Sequence, residues 1–522
     1  MFLLSFKVPY KVKNQYIVIL SVKFFQSIFL GLIFILTTNT IVTGQTKSKK
    51  PNIVFILADD LGWMDITSNG SKYYETPNID RLAKRGMIFS NAYTANPLCS
   101  PTRASILSGQ YPARFHFTTP GGHLAPNPDV PLMKDKAVAW NKVITPTSRT
   151  FLPLESYTIA EKLKTVGYTT GFIGKWHLGQ NPYSPEAQGF DFNVAGGPNP
   201  GPPNYFSPYK IKNLPDGPLH EYITDRVTEE ALKYIDMKKD TTFFLCMWEF
   251  AVHAPFQGKL DYVKYYENKV DPRGKQNNPI MAAMIKSLDE SVGRIMDKLD
   301  ELKLTDNTMI VFYSDNGGNM YDIVNGKDAT NNFPLKYGKG NIHEGGVKVP
   351  LIVSWPGKIK PNSMSDEVIT SVDFYPTLLD VASTKADKGQ ILDGVSLIPV
   401  LTENKSLNRE AIFCHFPHYV PATNNYPSTS VRKGDWKLIR VYGEGKNQSD
   451  AYELYNLKTD LGEERNLASK MPEKVKELNA LIVKHVNEID GIFPKPNPAF
   501  NPNVKSPMGV RPIFPSEKYI MY

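Results

Sequence analysis

Ile53-Val54-Phe55-Ile56-Leu57-Ala58-Asp59-Asp60 is an unbroken apolar run that stops on two carboxylates. Alternation would mean a strand with one wet face. A continuous run means a strand covered on both faces, as in parallel sheets. Met309-Ile310-Val311-Phe312-Tyr313 repeats the pattern and stops on Ser314-Asp315-Asn316-Gly317. Residues 87–93 and 169–173 are further strand candidates. Helices fall between them. Thr76-Pro77 opens one that Gly86 closes, with Pro at the first turn. Thr158 and Glu161 form a capping-box pattern ahead of Leu163 and Val166, with Gly167 as C-cap. Ile285, Leu288, Val292, Ile295, Leu299 and Leu302 recur at helical spacing. Strands alternating with helices, with polar residues at the strand ends, define the α/β class. The expected fold is a large, mostly parallel sheet flanked by helices, with its site at the C-terminal edge.

The chain has 522 residues, enough for more than one structural unit. Residues 1–44 read as an export signal: four lysines, an apolar run over 28–36, and Val42-Thr43-Gly44 as a cleavage site. The run is short for a bilayer span, so no stable membrane span is expected after cleavage, although a retained anchor is the alternative. Residues 45–404 carry the α/β pattern. From about 405 the character changes to an α+β subdomain, with antiparallel strands over 430–442 and 451–457 and a helix over 472–489. Residues 491–522 form a proline-rich tail, and 181–218 a Pro- and Gly-rich surface excursion.

The formal charge is +8, and setting aside the four N-terminal lysines leaves +4. That bias is too mild for a nucleic-acid partner and suits anionic substrates. Only three cysteines are present, Cys99, Cys246 and Cys414, too few for a disulfide-stapled exported protein. Cys246 lies in an apolar run and is expected as a buried free thiol.

Four further segments carry chemistry. Cys99-Ser100-Pro101-Thr102-Arg103 follows a strand, with 102–107 able to begin a helix. A group at a helix N-terminus faces N–H donors and a positive dipole end, and Arg103 adds a fixed cation. In Gly174-Lys175-Trp176-His177, an extended backbone would aim Lys175 and His177 at one face. His253 stands in Val252-His253-Ala254-Pro255, beyond another apolar run, and Lys339 stands between Gly338 and Gly340. Asp59, Asp60, Asp315 and Asn316 offer oxygen donors at two strand ends. That set suits calcium, with magnesium less favoured. Zinc is disfavoured because no histidine sits among them in the sequence. Taken singly, each of these segments also has an ordinary structural reading.

Together, and in this order, they resemble the type I, formylglycine-dependent sulfatases of the alkaline-phosphatase-like superfamily. Cys99–Gly109 and Gly167–Gly179 match the two family signatures, and the resemblance runs over roughly 51–457. It implies that Cys99 is converted to formylglycine (3-oxoalanine) by a formylglycine-generating enzyme, and that its hydrate is the nucleophile. It further implies that Asp59, Asp60, Asp315 and Asn316 hold calcium together with modified Cys99. Arg103 and Lys175 would steady the hydrate and the sulfate. His177 would take the proton when the aldehyde is regenerated. His253 and Lys339 would flank the leaving oxygen, with His253 as proton donor. Two positions depart from the family: Ser108, where Thr or Ala is commoner, and Lys348, where Arg is commoner.

The resemblance implies a periplasmic or secreted enzyme that removes sulfate from a sulfated carbohydrate, exo-acting on glycan ends, with galactose or N-acetylgalactosamine sulfate as the expected sugar. Arg114, His116, His123, His415 and His418 are candidates to line the sugar pocket. Two alternatives stay open: a phosphonate or phosphate ester hydrolase of the same superfamily, and a catalytically silent paralogue that binds sulfated glycans.

Overall fold

The first apolar run forms β1 (Asn52–Ala58), every residue of it buried. Its side chains alternate between two cores. Val54 and Ile56 pack with Ile285, Leu288 and Val292, while Ile53, Phe55 and Leu57 pack with Ile106, Leu163 and Leu378. Both faces are therefore dry, which is why the sequence shows no alternation. The computed structural model describes residues 50–514. The expected export segment over 1–44 lies outside them.

In chain order, β1 is followed by α1 (Pro77–Lys84), β2 (Met87–Tyr93), α2 (Cys99–Ser108), α3 (Ile159–Thr165), β3 (Thr169–Gly174), β4 (Phe192–Val194) and α4 (Ile223–Lys238). Then come β5 (Phe243–Trp248), α5 (Pro279–Glu301), β6 (Thr308–Ser314), β7 (Leu351–Ser354), β8 (Ser363–Thr370) and α6 (Phe374–Val381). The eight strands make one sheet in the order β8-β2-β7-β6-β1-β5-β3-β4. Only β7 runs against its neighbours. Helices α1, α4 and α5 cover one face, and α2, α3 and α6 the other.

Register brings the strand ends together. Ala58 pairs with Ser314, so Asp59 and Asp315 emerge side by side. Gly174 pairs with Trp248 of β5, so Lys175 emerges on the same edge two strands from Asp59.

A second, antiparallel sheet follows: β9 (Ile412–Phe416), β10 (Ser428–Lys433), β11 (Trp436–Val441) and β12 (Ala451–Asn456), in that order. One face packs on α7 (Pro472–Glu488) through Leu438, Leu454, Leu478 and Ile482. The other meets Tyr93, Leu98 and Ile342 through Cys414, Ile439 and Tyr455.

Several expectations need adjusting. The helix of the cysteine motif begins at Cys99 itself, with Leu98 as its extended N-cap. The capping box at Thr158 and Glu161 is present, but Val166 is the C-cap and Gly167 follows it at φ +92. The 181–218 excursion contributes the edge strand β4. The proline-rich tail is not wholly irregular, because Ile513–Phe514 pairs in parallel with Ile323–Val324. All three cysteines are free and buried. Among the described residues no helix is long and apolar enough to cross a membrane.

Candidate active site

Cys99 occupies the first turn of α2, fully inside the protein, so its side chain sits where the helix presents free N–H groups. Ser100 Oγ donates to the carbonyl of His177 at 2.7 Å and ties this turn to the segment after β3. Nδ1 of His177 comes to 3.5 Å from Sγ of Cys99. Lys175 and His177 do not reach the site along an extended strand. The backbone turns at Gly174 (φ +107), where a Cβ would lie 1.9 Å from the Trp248 carbonyl, and again at His177 (φ +56). Only glycine fits the first of these positions.

The four oxygen-bearing residues converge. Asp60 N donates to Asp315 Oδ1 at 3.2 Å, and Asn316 Nδ2 donates to Asp60 Oδ1 at 2.9 Å. A Cβ on Gly317 would lie 1.8 Å from the carbonyl of Gly345, so the loop after β6 needs glycine there. Arg103 binds Asp315 through Nε (2.8 Å) and Nη2 (2.7 Å), and its Nη1 donates to the carbonyl of Lys175 at 2.6 Å. Lys175 Nζ lies 2.6 Å from Asp59 Oδ2, and Lys339 Nζ lies 2.7 Å from Asp60 Oδ2. His253 Nε2 stands 3.8 Å from Asp60 Oδ2, while its Nδ1 donates to the Ala254 carbonyl at 2.7 Å. A histidine therefore does stand beside the carboxylates, unlike in the linear sequence.

Three buried carboxylates thus face three buried cations. Burial opposes charge on Asp60, but Lys339, His253 and Lys175 hold its carboxyl well below the usual range. Burial and then the charge of Asp59 push Asp315 upward. Burial, then Lys339 and Lys175, depress His253 to about 3. Burial, Lys175 and His123 depress His177 well below its ordinary value. Both imidazoles are neutral near pH 7. Burial raises the Cys99 thiol, so it is protonated.

The donor set fits a hard cation. Oδ1 of Asp59 and Oδ1 of Asn316 are buried without a hydrogen-bond donor, and Asp59, Asp60 and His253 offer ligand atoms within 4.8 Å of one another. Uncompensated buried oxygens are costly unless something fills the role of donor. Oxygen predominance favours calcium or magnesium over zinc.

Of the five candidate sugar contacts, only His123 touches this cluster, its Nδ1 3.0 Å from His177 Nε2. Arg114 pairs with Asp393 and donates to the Glu488 carbonyl. His415 is buried between Thr429 and the Ile492 carbonyl, and His418 is buried on Thr118. His116 takes a left-handed turn at φ +57, and its carbonyl accepts from Arg149 N. The partners of these four stand outside the cluster, a difference from His123 that the linear sequence does not reveal.

Lys348 bonds Asn91 Oδ1 at 3.2 Å and lies over the Trp63 ring, rather than on a carboxylate. The carboxylate nearby, Glu344, is held by Lys437 at 2.9 Å instead. Sequence reading missed this pair, since nothing in the spacing links residues so far apart.

The chain belongs to the sulfatase family: the family model described as Sulfatase matches residues 51–384. A model described as N-sulphoglucosamine sulphohydrolase, C-terminal, matches residues 336–490. A sulfatase of Formosa agariphila is 34% identical, covering 87% of this chain and 90% of its own. Mouse N-acetylgalactosamine-6-sulfatase is 32% identical, covering 70% of this chain and 68% of its own. Among solved structures, Ps i-CgsB, crystallised in complex with k-i-k-neocarrahexaose, is 29% identical with a TM-score of 0.68, covering 84% of this chain and 93% of that one. The chain is accordingly a sulfatase, an enzyme of sulfate ester hydrolysis.

Proposed function

We propose that this sulfatase removes sulfate from a sulfated glycan, with position 99 as the nucleophile after its cysteine is converted to formylglycine. The observation that carries the reading is the seating of Cys99 on the first turn of α2, 3.5 Å from a neutral imidazole, beside a cluster of three buried cations and three buried carboxylates. The formylglycine hydrate supplies a hydroxyl nucleophile that a free thiol at that position does not.

Asp59, Asp60, Asp315 and Asn316 would hold calcium, with magnesium less favoured. The ion would add positive charge to a cluster that is otherwise balanced, which suits an anionic ester. Arg103 is locked by Asp315 and the Lys175 carbonyl, so it orients the carboxylate and does not move with the substrate. Lys175 and Lys339 each hold a single carboxylate, which leaves further N–H donors on each to offer sulfate oxygens.

His177 would hold the proton leaving position 99, a role supported by the approach of its Nδ1 to that side chain at 3.5 Å. His253 is the proton donor to the leaving oxygen. Its Nδ1–H is fixed on the Ala254 carbonyl, so Nε2 is bare in the neutral ring and is the atom that must first take up a proton before passing it on. Burial first, and then the two lysines, depress its pKa in the bare site; an anionic ester bound to those lysines offsets their contribution and favours the proton on Nε2, while the effect of burial stays.

The sugar is read from the relatives. One relative is a sulfatase of N-acetylgalactosamine, and Ps i-CgsB holds a neocarrahexaose, so a galactose or N-acetylgalactosamine sulfate at a chain end is the proposed target. Export through residues 1–44 would place the enzyme in the periplasm or outside the cell, with a formylglycine-generating enzyme as its maturation partner.

The test is peptide mass spectrometry across Cys99 on protein from the native host, together with sulfate release from a panel of sulfated sugars, an aryl sulfate and an aryl phosphonate. An aldehyde mass with preference for sulfated sugars is expected. A wholly unmodified thiol in active protein would defeat the nucleophile assignment.

A further inference from the structure

The C-terminal tail does not drift over the surface. Gly509 N donates to the Pro421 carbonyl at 2.8 Å, and Ile323 N donates to the Pro512 carbonyl at 3.1 Å. Arg511 spreads its guanidinium over three acceptors: the carbonyls of Met320 (2.7 Å) and Tyr321 (3.1 Å) and the carboxylate of Asp328 (2.8 Å). The tail thereby straps the turn at 421–424 to the loop after β6.

Between these walls lies a cavity of about 380 Å³, lined by Met320, Tyr321, Tyr337, Lys339, Asn424 and Arg511, among others. Lys339 alone of the six candidate catalytic side chains borders it. The cavity therefore adjoins the reaction centre through Lys339. Its lining has the amphipathic character that a pyranose needs. Two phenol rings and a thioether meet C–H faces, while an amide and a guanidinium edge meet hydroxyls. Among the described residues the Tyr321 hydroxyl takes no hydrogen bond. Burial raises its pKa to about 12 despite the nearby Lys339, so it is a neutral donor. Tyr337 stands at φ +59 and Asn424 at φ +56, left-handed conformations that non-glycine residues seldom adopt.

We infer that this cavity is a second sugar subsite, seating the ring joined to the one that bears the scissile sulfate, and that the C-terminal tail completes it. A ring whose sulfate reaches Cys99 must lie among several of the catalytic side chains. The cavity meets only Lys339, so it receives the next ring of the chain. The inference rests on the proposed reading of Cys99 and Lys339 as parts of one reaction centre.

The test uses the full chain. Sulfate release and calorimetric binding are measured for a chondroitin sulfate tetrasaccharide and a carrageenan hexasaccharide, each against the matching sulfated monosaccharide. The wild type is expected to favour the oligosaccharide by at least about tenfold in KM. Tyr321→Phe, Arg511→Ala and Asn424→Gly are each expected to shrink that advantage severalfold, more through KM than through kcat. Asn424→Gly guards against misfolding, because glycine accepts the left-handed backbone there. Equal KM for mono- and oligosaccharides in the wild type, or an advantage undiminished in all three variants, overturns the subsite. A protein that binds the oligosaccharide through these residues yet releases no sulfate leaves the subsite standing and removes the hydrolytic reading instead.

Discussion

Nζ of Lys175 lies 2.6 Å from Oδ2 of Asp59, and neither side chain is reached by solvent. The pair sits at the C-terminal edge of the sheet because Gly174 and Trp248 are in register and Asp59 follows β1 directly. Removing the lysine leaves Asp59 with only Arg103, at 3.6 Å. Breaking a buried pair from one side costs about 3–5 kcal/mol. Lys175→Met is therefore expected to lose stability of that order in the presence of a chelator, read by urea unfolding, and calcium is expected to restore part of it. A variant as stable as the parent in chelator would show that the pair carries no such weight.

Cys99→Ala separates fold from chemistry. The thiol makes one side-chain contact of note, with His177 at 3.5 Å, and the helix is held by Ser100 and Arg103 instead. Stability is expected to change by only about 1 kcal/mol, while sulfate release falls at least about 10³-fold. The two readings are a melting curve and an initial rate. Residual turnover near the wild-type level would remove position 99 from the mechanism.

Most of the sheet was legible because burial on both faces writes itself as unbroken apolar runs, as in β1 and β6. The carboxylates were legible because each pair stands at the end of such a run, and Cys99 because Cys99-Ser100-Pro101-Thr102-Arg103 is a distinctive local motif. What escaped has a physical reason. The short strand β7, Leu351–Ser354, offers too few residues to show a period. Lys175 and His177 share a site through two backbone turns, not through strand alternation. His415 and His418 look like pocket residues in sequence, yet they are buried on Thr429 and Thr118, since a histidine's partners are set by packing. Tyr321, Tyr337 and Arg511 carry no local pattern, and only the return of the tail brings them together.

Glu249 predicts a pH dependence of stability outside the reaction centre. Burial, assisted by repulsion from Asp225, raises its carboxyl from 4.5 to about 8 in spite of the hydrogen bond from Ser291. The folded chain thus keeps a proton that the unfolded chain releases near 4.5. Its stabilising contribution is complete below that pH and is lost as pH rises toward 8, on the order of 5 kcal/mol in all. Glu249→Gln keeps the neutral form at every pH, so it should flatten the decline between pH 5 and pH 9 and be relatively more stable at the upper end. Parallel stability–pH curves for the two proteins would contradict this.

Lys437 reaches from β11 into a pocket of two carboxylates, Glu344 and Glu463, each at 2.9 Å. Tyr93 OH donates to Glu344 at 2.6 Å, and Glu344 N donates to Glu463 Oε2 at 2.7 Å. The segment that begins at Lys336 and carries Lys339 is thus clamped to the C-terminal sheet, with Lys336 Nζ also on the Glu463 carbonyl. Lys437→Met strands two buried carboxylates, and a loss of about 3–5 kcal/mol is expected. The same change frees the loop that presents Lys339, so KM for the sulfated substrate should rise more than kcat falls. Lys437→Met combined with Glu344→Gln removes one stranded charge and should recover part of the stability, a coupling that a double-mutant cycle measures directly. If the double variant is no more stable than the single one, the carboxylates are not what Lys437 balances, and the clamp would have to be sought in the apolar contact of Ile342 with Ile439 and Tyr455.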